Sequence, residues 1–132
     1  MKPKISLLTL GVDDMARAIR FYRDGLGFPT HNFAEGDDFA MFKLDGTWLA
    51  LHPNEMMAKY APAGAQRGFG ISLSHNEPSP ERVDAVFAEA IAAGATVTTP
   101  PRKADWGGYE AGFADPDGHI WDIAYNPFTD LT

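Results

Sequence analysis

The chain is written twice. Leu8 and Leu10 precede a helical run at residues 15–23, and Ile71 and Leu73 precede a second run at 80–93. Gly27 closes the first run and Gly94 the second. Toward the end of each copy an Asp-Gly pair opens a last strand, Asp45-Gly46 before residues 47–52 and Asp117-Gly118 before 119–125. Small insertions let the spacing drift, but the order of elements is the same in both copies. A repeated strand–helix–strands unit predicts a pseudo-symmetric α+β fold with a cleft between its halves, and function is then read from what lines that cleft.

The local signals agree with this order. Residues 5–12 are aliphatic and β-favouring, and short enough for a buried strand. Asp13 or Asp14 can cap the helix that follows, whose apolar stripe is Met15, Ala18, Ile19, Tyr22 and Leu26. Residues 29–33 read as a strand, and 39–44 with 47–52 as a hairpin around Asp45-Gly46. Residues 53–67, with their prolines, Met56, Met57 and Tyr60, read as a linker with at most one helical turn. In the second copy, 68–76 is a strand, Ser79 an N-cap and Pro80 the first helical residue. A strand at 95–99 is expected to end at Pro100-Pro101. Asp115-Pro116-Asp117-Gly118 is a tight turn joining strands at 109–115 and 119–125. The expectation is one domain of two tandem βαβββ modules, at about 1–57 and 68–132, with curled mixed sheets enclosing a cleft and helices outside.

Composition narrows the function classes. With 45% hydrophobic and 12% aromatic residues, 132 residues can bury a real core. Eighteen acidic residues against 11 basic give a net charge of −7 without a basic face, which argues against nucleic acid. Cysteine is absent, so disulfides, zinc–thiolate sites and cysteine nucleophiles are excluded. No apolar run approaches the roughly 20 residues of a membrane span, and the N-terminus lacks the apolar stretch of a signal peptide. A cytoplasmic protein is expected.

The opening Leu10-Gly11-Val12-Asp13-Asp14-Met15 with Phe21-Tyr22 and Leu26-Gly27-Phe28, and the closing Phe113-Ala114-Asp115-Pro116-Asp117-Gly118, carry a resemblance. Over nearly its whole length the chain resembles the vicinal oxygen chelate superfamily of glyoxalases, bleomycin- and fosfomycin-resistance proteins and extradiol dioxygenases. One such fold hosts many chemistries, so the resemblance speaks to fold more than to activity. Metal-dependent members place carboxylate, histidine or glutamine ligands on the first and last strand of each half. Carried over, those positions are Leu7, Ala50, Gly70 and Asp122. Leucine, alanine and glycine offer no side-chain donor, and catalytic sites normally use about three protein ligands. The resemblance therefore implies a member without the usual metal site, and no cofactor is expected. It also implies a homodimer.

Strand alternation assigns the cleft face. Leu7, Thr9, Trp48, Ala50, His52, Gly70, Ser72, Ser74, Ile120 and Asp122 fall on it, with Phe39, Trp106, Tyr109 and Phe113 able to reach it. Small residues facing aromatic ones make room for a small ligand. Trp106-Gly107-Gly108-Tyr109 reads as a loop that closes over something. Asp122 reads either as a hydrogen-bond anchor or general base, or as a carboxylate paired with an arginine such as Arg102. His52 reads as a strand-end histidine partly in solvent, or as half of a minimal site with Asp122 and water. His31 and His75 read as surface or core-edge residues.

Three functions fit these features. The first is a metal-free protein that binds a small aromatic or amphipathic molecule. The second is a lyase, isomerase or dioxygenase with a relocated or minimal metal site, and the third is a structural module with a vestigial cleft.

Overall fold

The computed structural model describes residues 1–3, 5–61 and 71–132. Within them the chain forms two compact units, Met1–Arg67 and Gly68–Thr132, each a helix against a four-stranded mixed sheet. The residues that were expected to finish the linker and begin the next strand, 62–70, lie outside the described residues.

The first unit runs β1 (Leu7–Val12), α1 (Met15–Ile19), β2 (Thr30–His31), β3 (Ala40–Phe42) and β4 (Trp48–Pro53). Its strand order is β1-β4-β3-β2, with β1 parallel to β4 and the other pairs antiparallel. Asp14 caps α1, its Oδ1 accepting from the Arg17 N–H at 3.0 Å. Only five residues of the expected helix are α-helical. Arg20–Gly25 forms a π turn, in which the Leu26 N–H reaches the Phe21 carbonyl five residues back at 2.9 Å. The wider turn still buries Phe21 and Tyr22, whose rings meet edge to face at 4.9 Å. Tyr22 also packs on Phe28 and on Phe42 of β3, at 5.9 and 5.8 Å. One face of this sheet is thereby covered: Leu10, Val12, Ala40, Phe42, Leu49 and Leu51 are all buried. Each large aliphatic side chain so removed from water contributes about 1.5–3 kcal/mol. A short helix, α2 (Asn54–Met57), and a 3₁₀ turn at Ala58–Tyr60 follow β4.

The second unit repeats the plan: β5 (Ser72–Asn76), α3 (Pro80–Ala92), β6 (Thr96–Lys103), β7 (Tyr109–Ala114) and β8 (Ile120–Tyr125). The order is β5-β8-β7-β6, with β5 parallel to β8. Ser79 caps α3 by accepting from the Arg82 N–H, and Pro80 opens it. In the turn before β8, the buried Asp115 accepts at Oδ1 from the N–H groups of Asp117 and His119, at 2.9 and 2.8 Å. Gly118 takes the left-handed conformation there, at φ +86°. α3 covers one face of the sheet. Val83 and Ala90 are fully buried, with Ile123, Ala111, Phe113 and Trp121 on the strands beside them.

One expected strand end is corrected. β6 does not stop at Pro100-Pro101 but runs through both to Lys103. It lies at the edge of its sheet, and its register against β7 shifts between Val97 and Thr99 and again between Thr99 and Arg102. An edge strand tolerates proline where no ladder partner awaits the missing N–H, and register shifts are where prolines fit.

Candidate functional site

Each sheet has one face covered by its helix and one that the helix leaves open. In the second unit, the register sets Ser74 of β5, Asp122 of β8 and Gly112 of β7 side by side on the open face. Asp122 is half-buried, and no described side chain hydrogen-bonds or ion-pairs with its carboxylate. Gly112 is buried because β6 crowds it: a Cβ there would lie 2.6 Å from the Thr98 hydroxyl and 3.3 Å from that of Thr99. Threonine side chains thus fill the space over Gly112 beside Asp122, whose carboxylate can accept hydrogen bonds from a ligand. Ser72 and Ile120 form the row on one side of Asp122, and Asn76, Ala124 and Glu110 the row on the other.

Glu110 organises the edge of this face. Its Oε1 accepts from Arg102 Nε and Nη2 at 3.0 and 2.9 Å, and its Oε2 from Trp106 Nε1 at 3.2 Å. These bonds, chiefly those from Arg102, hold its carboxyl below the usual glutamate range. Arg102 is thus committed to Glu110, which corrects the alternative that pairs it with Asp122. Trp106 remains 46% exposed, its ring folded against Gly108.

Tyr109 and Phe113 lie on the other face. Phe113 is 2% exposed and stacks on Trp121 at 6.0 Å with rings 6° from parallel. Tyr109 donates its hydroxyl to Asp84 Oδ1 of α3 at 2.9 Å, and that bond raises the pKa of the phenol. Beside it a recess of about 370 Å³ is lined by Tyr109, Tyr125, Lys103 and Gly108. The aromatic residues read as one pocket wall are therefore divided between two faces. Trp106 borders the Asp122 face, while Tyr109 and Phe113 pack under the helix.

The open face of the first unit carries three rows. Leu7 pairs with Trp48; Thr9 pairs with Ala50, which pairs with Met41, which pairs with His31; Gly11 pairs with His52. His31 sits 5.0 Å from Trp48, edge to face, so this histidine belongs to the open face. The His52 ring meets Phe39 edge-on at 5.3 Å, and its Nδ1 donates to the Asp38 carbonyl at 2.7 Å.

Three of the positions marked as family metal sites are described, and they do not fit a metal centre. Leu7 is 38% exposed and Ala50 fully buried, both without a donor, and Asp122 supplies one carboxylate. Gly70 lies outside the described residues. Among the described residues, no three His, Cys, Asp or Glu side chains converge as a metal would require.

His31, Met41 and Glu110 were not singled out by sequence reasoning. Hairpin register would have found Met41, because Asp45-Gly46 aligns β3 with β4, whereas His31 is placed by the pairing of β2 with β3, which that turn does not set. Glu110 had no local signal.

Comparison with known proteins agrees with the topology. Residues 4–123 match the family model described as Glyoxalase/Bleomycin resistance protein/Dioxygenase superfamily. The chain is 28% identical over 126 residues to a metallothiol transferase FosB of Shouchella clausii (strain KSM-K16), covering 90% of this chain and 77% of that one. A metallothiol transferase FosB of Staphylococcus epidermidis is 32% identical over 73 residues, 55% of this chain and about half (51%) of its own length. The crystal structure of a glyoxalase-related enzyme from Fulvimarina pelagi superposes with a TM-score of 0.85 at 28% identity, covering 98% of this chain and 93% of that one. Among the described residues no helix is long and apolar enough to cross a membrane. The chain belongs to the glyoxalase/bleomycin resistance protein/dioxygenase superfamily.

Proposed function

We propose that this member binds a small aromatic or amphipathic organic molecule on its open sheet faces, without the metal centre of its metal-dependent kin. The observation that carries the reading is Asp122: a half-buried carboxylate with no partner among the described residues, set between Ser74 and Gly112. A structural carboxylate at such a place is normally paired, because partial burial of an unpaired charge costs free energy. Left uncommitted, it is suited to anchor a ligand's hydroxyl or N–H group. Ser72, Ser74 and Trp106 supply further hydrogen bonding and a flat apolar surface on that face, and Trp48 and His52 do so on the first unit's face. Tyr109 and Phe113 act indirectly, by fixing α3 against the sheet. The donor-poor set Leu7, Ala50 and Asp122 supports a metal-free mode. We read the protein as a homodimer, by likeness to its family alone.

The test is a titration with benzylamine, whose ammonium N–H groups suit a carboxylate acceptor, followed by tryptophan fluorescence, together with metal analysis of the purified protein. Saturable quenching that weakens at least 5-fold in Asp122→Ala supports the reading. No saturable response in the wild-type protein refutes it. Stoichiometric zinc, nickel, manganese or iron that is lost on substitution of Asp122 or His52 would instead establish the lyase, isomerase or dioxygenase alternative with a relocated metal site.

A further inference from the structure

His52 is the most pre-organised polar group on the first unit's open face. A backbone carbonyl can only accept, so the 2.7 Å contact with Asp38 O fixes the proton on Nδ1. In the neutral ring Nε2 then carries a bare lone pair. No other described residue hydrogen-bonds to it. The ring packs edge-on against Phe39 at 5.3 Å. Across the sheet stands Gly11, the β1 partner of His52, where a Cβ would collide with Asn54 Oδ1 and come within 3.4 Å of Met57 Cγ. Asn54 is itself fixed, donating from Nδ2 to Asp13 Oδ1 at 2.6 Å. The imidazole thus has one nitrogen tied down, one side packed by an aromatic ring, and beside it a glycine whose side-chain space is taken by Asn54 and Met57.

We propose that His52 reads donors on an aromatic ligand: its Nε2 accepts a hydrogen bond from a hydroxyl or N–H group attached to a ring seated on the first unit's open face. The proposal rests on the binding function above and names the chemical class of the ligand. Phe39 offers ring contact, and the acceptor sets the preference. A ring that bears a donor is favoured over the same ring with that donor methylated. One net hydrogen bond corresponds to roughly a 5-fold difference in affinity.

Phenol and anisole make the comparison, titrated into the full chain and followed by tryptophan fluorescence. Wild-type protein should bind phenol about 5-fold more tightly than anisole. His52→Asn keeps an N–H donor for the Asp38 carbonyl but has nothing at Nε2, and it should bind the two alike. His52→Gln, whose amide oxygen reaches toward the Nε2 position, should recover part of the preference. A phenol preference that persists undiminished in His52→Asn overturns the proposal, as does equal wild-type affinity for the two probes. If neither probe binds while benzylamine still does, this proposal fails and the binding function stands; if none of the three binds, both fail. A second measurement needs no ligand and no variant. Long-range proton–nitrogen spectra of the wild-type protein should show His52 protonated at Nδ1 and bare at Nε2, and the opposite tautomer would overturn the assignment.

Discussion

Replacing Phe113 by alanine separates the two faces of the second sheet most sharply. The side chain is 2% exposed and lies flat on Trp121, on the face that α3 covers. A phenylalanine buries about 150–250 Å² on folding, and truncation to alanine in a packed core costs about 3–5 kcal/mol. The parallel stack on Trp121 adds an aromatic term of about 0.5–1.5 kcal/mol beyond area alone, placing the expected loss in the upper part of that range. A domain of this size has about 5–15 kcal/mol in all, so the variant should unfold at markedly lower urea yet remain measurable near 10 °C. Phe113→Leu keeps most of the volume and should cost less than about 1.5 kcal/mol, which guards against a variant that fails to fold. Urea unfolding followed by circular dichroism, with tryptophan fluorescence as a second probe, gives both numbers. A loss below about 1 kcal/mol for Phe113→Ala with an unchanged urea slope would mean that the ring is not core. A loss of benzylamine affinity at unchanged stability would return Phe113 to the ligand surface.

Three further outcomes follow from described contacts. Burial pushes the Glu77 carboxyl up, but hydrogen bonds from His75 and Arg82 outweigh it and hold the group below the ordinary glutamate value. Its stabilisation is therefore present above the unfolded-state value, about pH 4.3, and is lost as pH falls through the lower folded one; melting temperatures between pH 3 and 6 should fall less steeply in Glu77→Gln, and parallel curves would contradict this. Asp14→Ala removes the cap on α1 and should cost about 1 kcal/mol in urea unfolding; an unchanged midpoint would show that the π turn and its aromatic rings alone fix the helix start. Gly112→Ala drives a methyl group against the Thr98 hydroxyl and should cost about 1–3 kcal/mol; an unshifted melting temperature would mean that β6 yields freely.

Much of the fold could be read directly because its signals are local. Ser79-Pro80 marks the start of α3, and Asp115-Pro116-Asp117-Gly118 marks the last hairpin, since both rest on backbone chemistry within a few residues. The run of β6 through two prolines was hidden, because what makes proline tolerable is a strand's place at the sheet edge, which no local pattern records. The shortened α1 was hidden for a related reason: the stripe Ala18, Ile19 and Tyr22 suits a π turn about as well as an α-helix. For the site, the alternation that turned Asp122 to the open face was legible. The same alternation, carried across the tight turn, pairs Phe113 with Trp121 and Tyr109 with Tyr125, and so sends both aromatic side chains under the helix. The loop Trp106-Gly107-Gly108 obscured that parity, since glycine carries no side chain to mark a face.

The two prolines of β6 also bear on how the molecule behaves among its neighbours in a crowded solution. A border strand normally presents a row of N–H and C=O groups that an unrelated chain can zip onto. Pro100 and Pro101 cannot donate, and the slips in register before and across them break the straight template. This margin of the second sheet is therefore poorly suited to seeding cross-β growth, which lets the protein keep a long marginal strand of eight residues without inviting fibrils there.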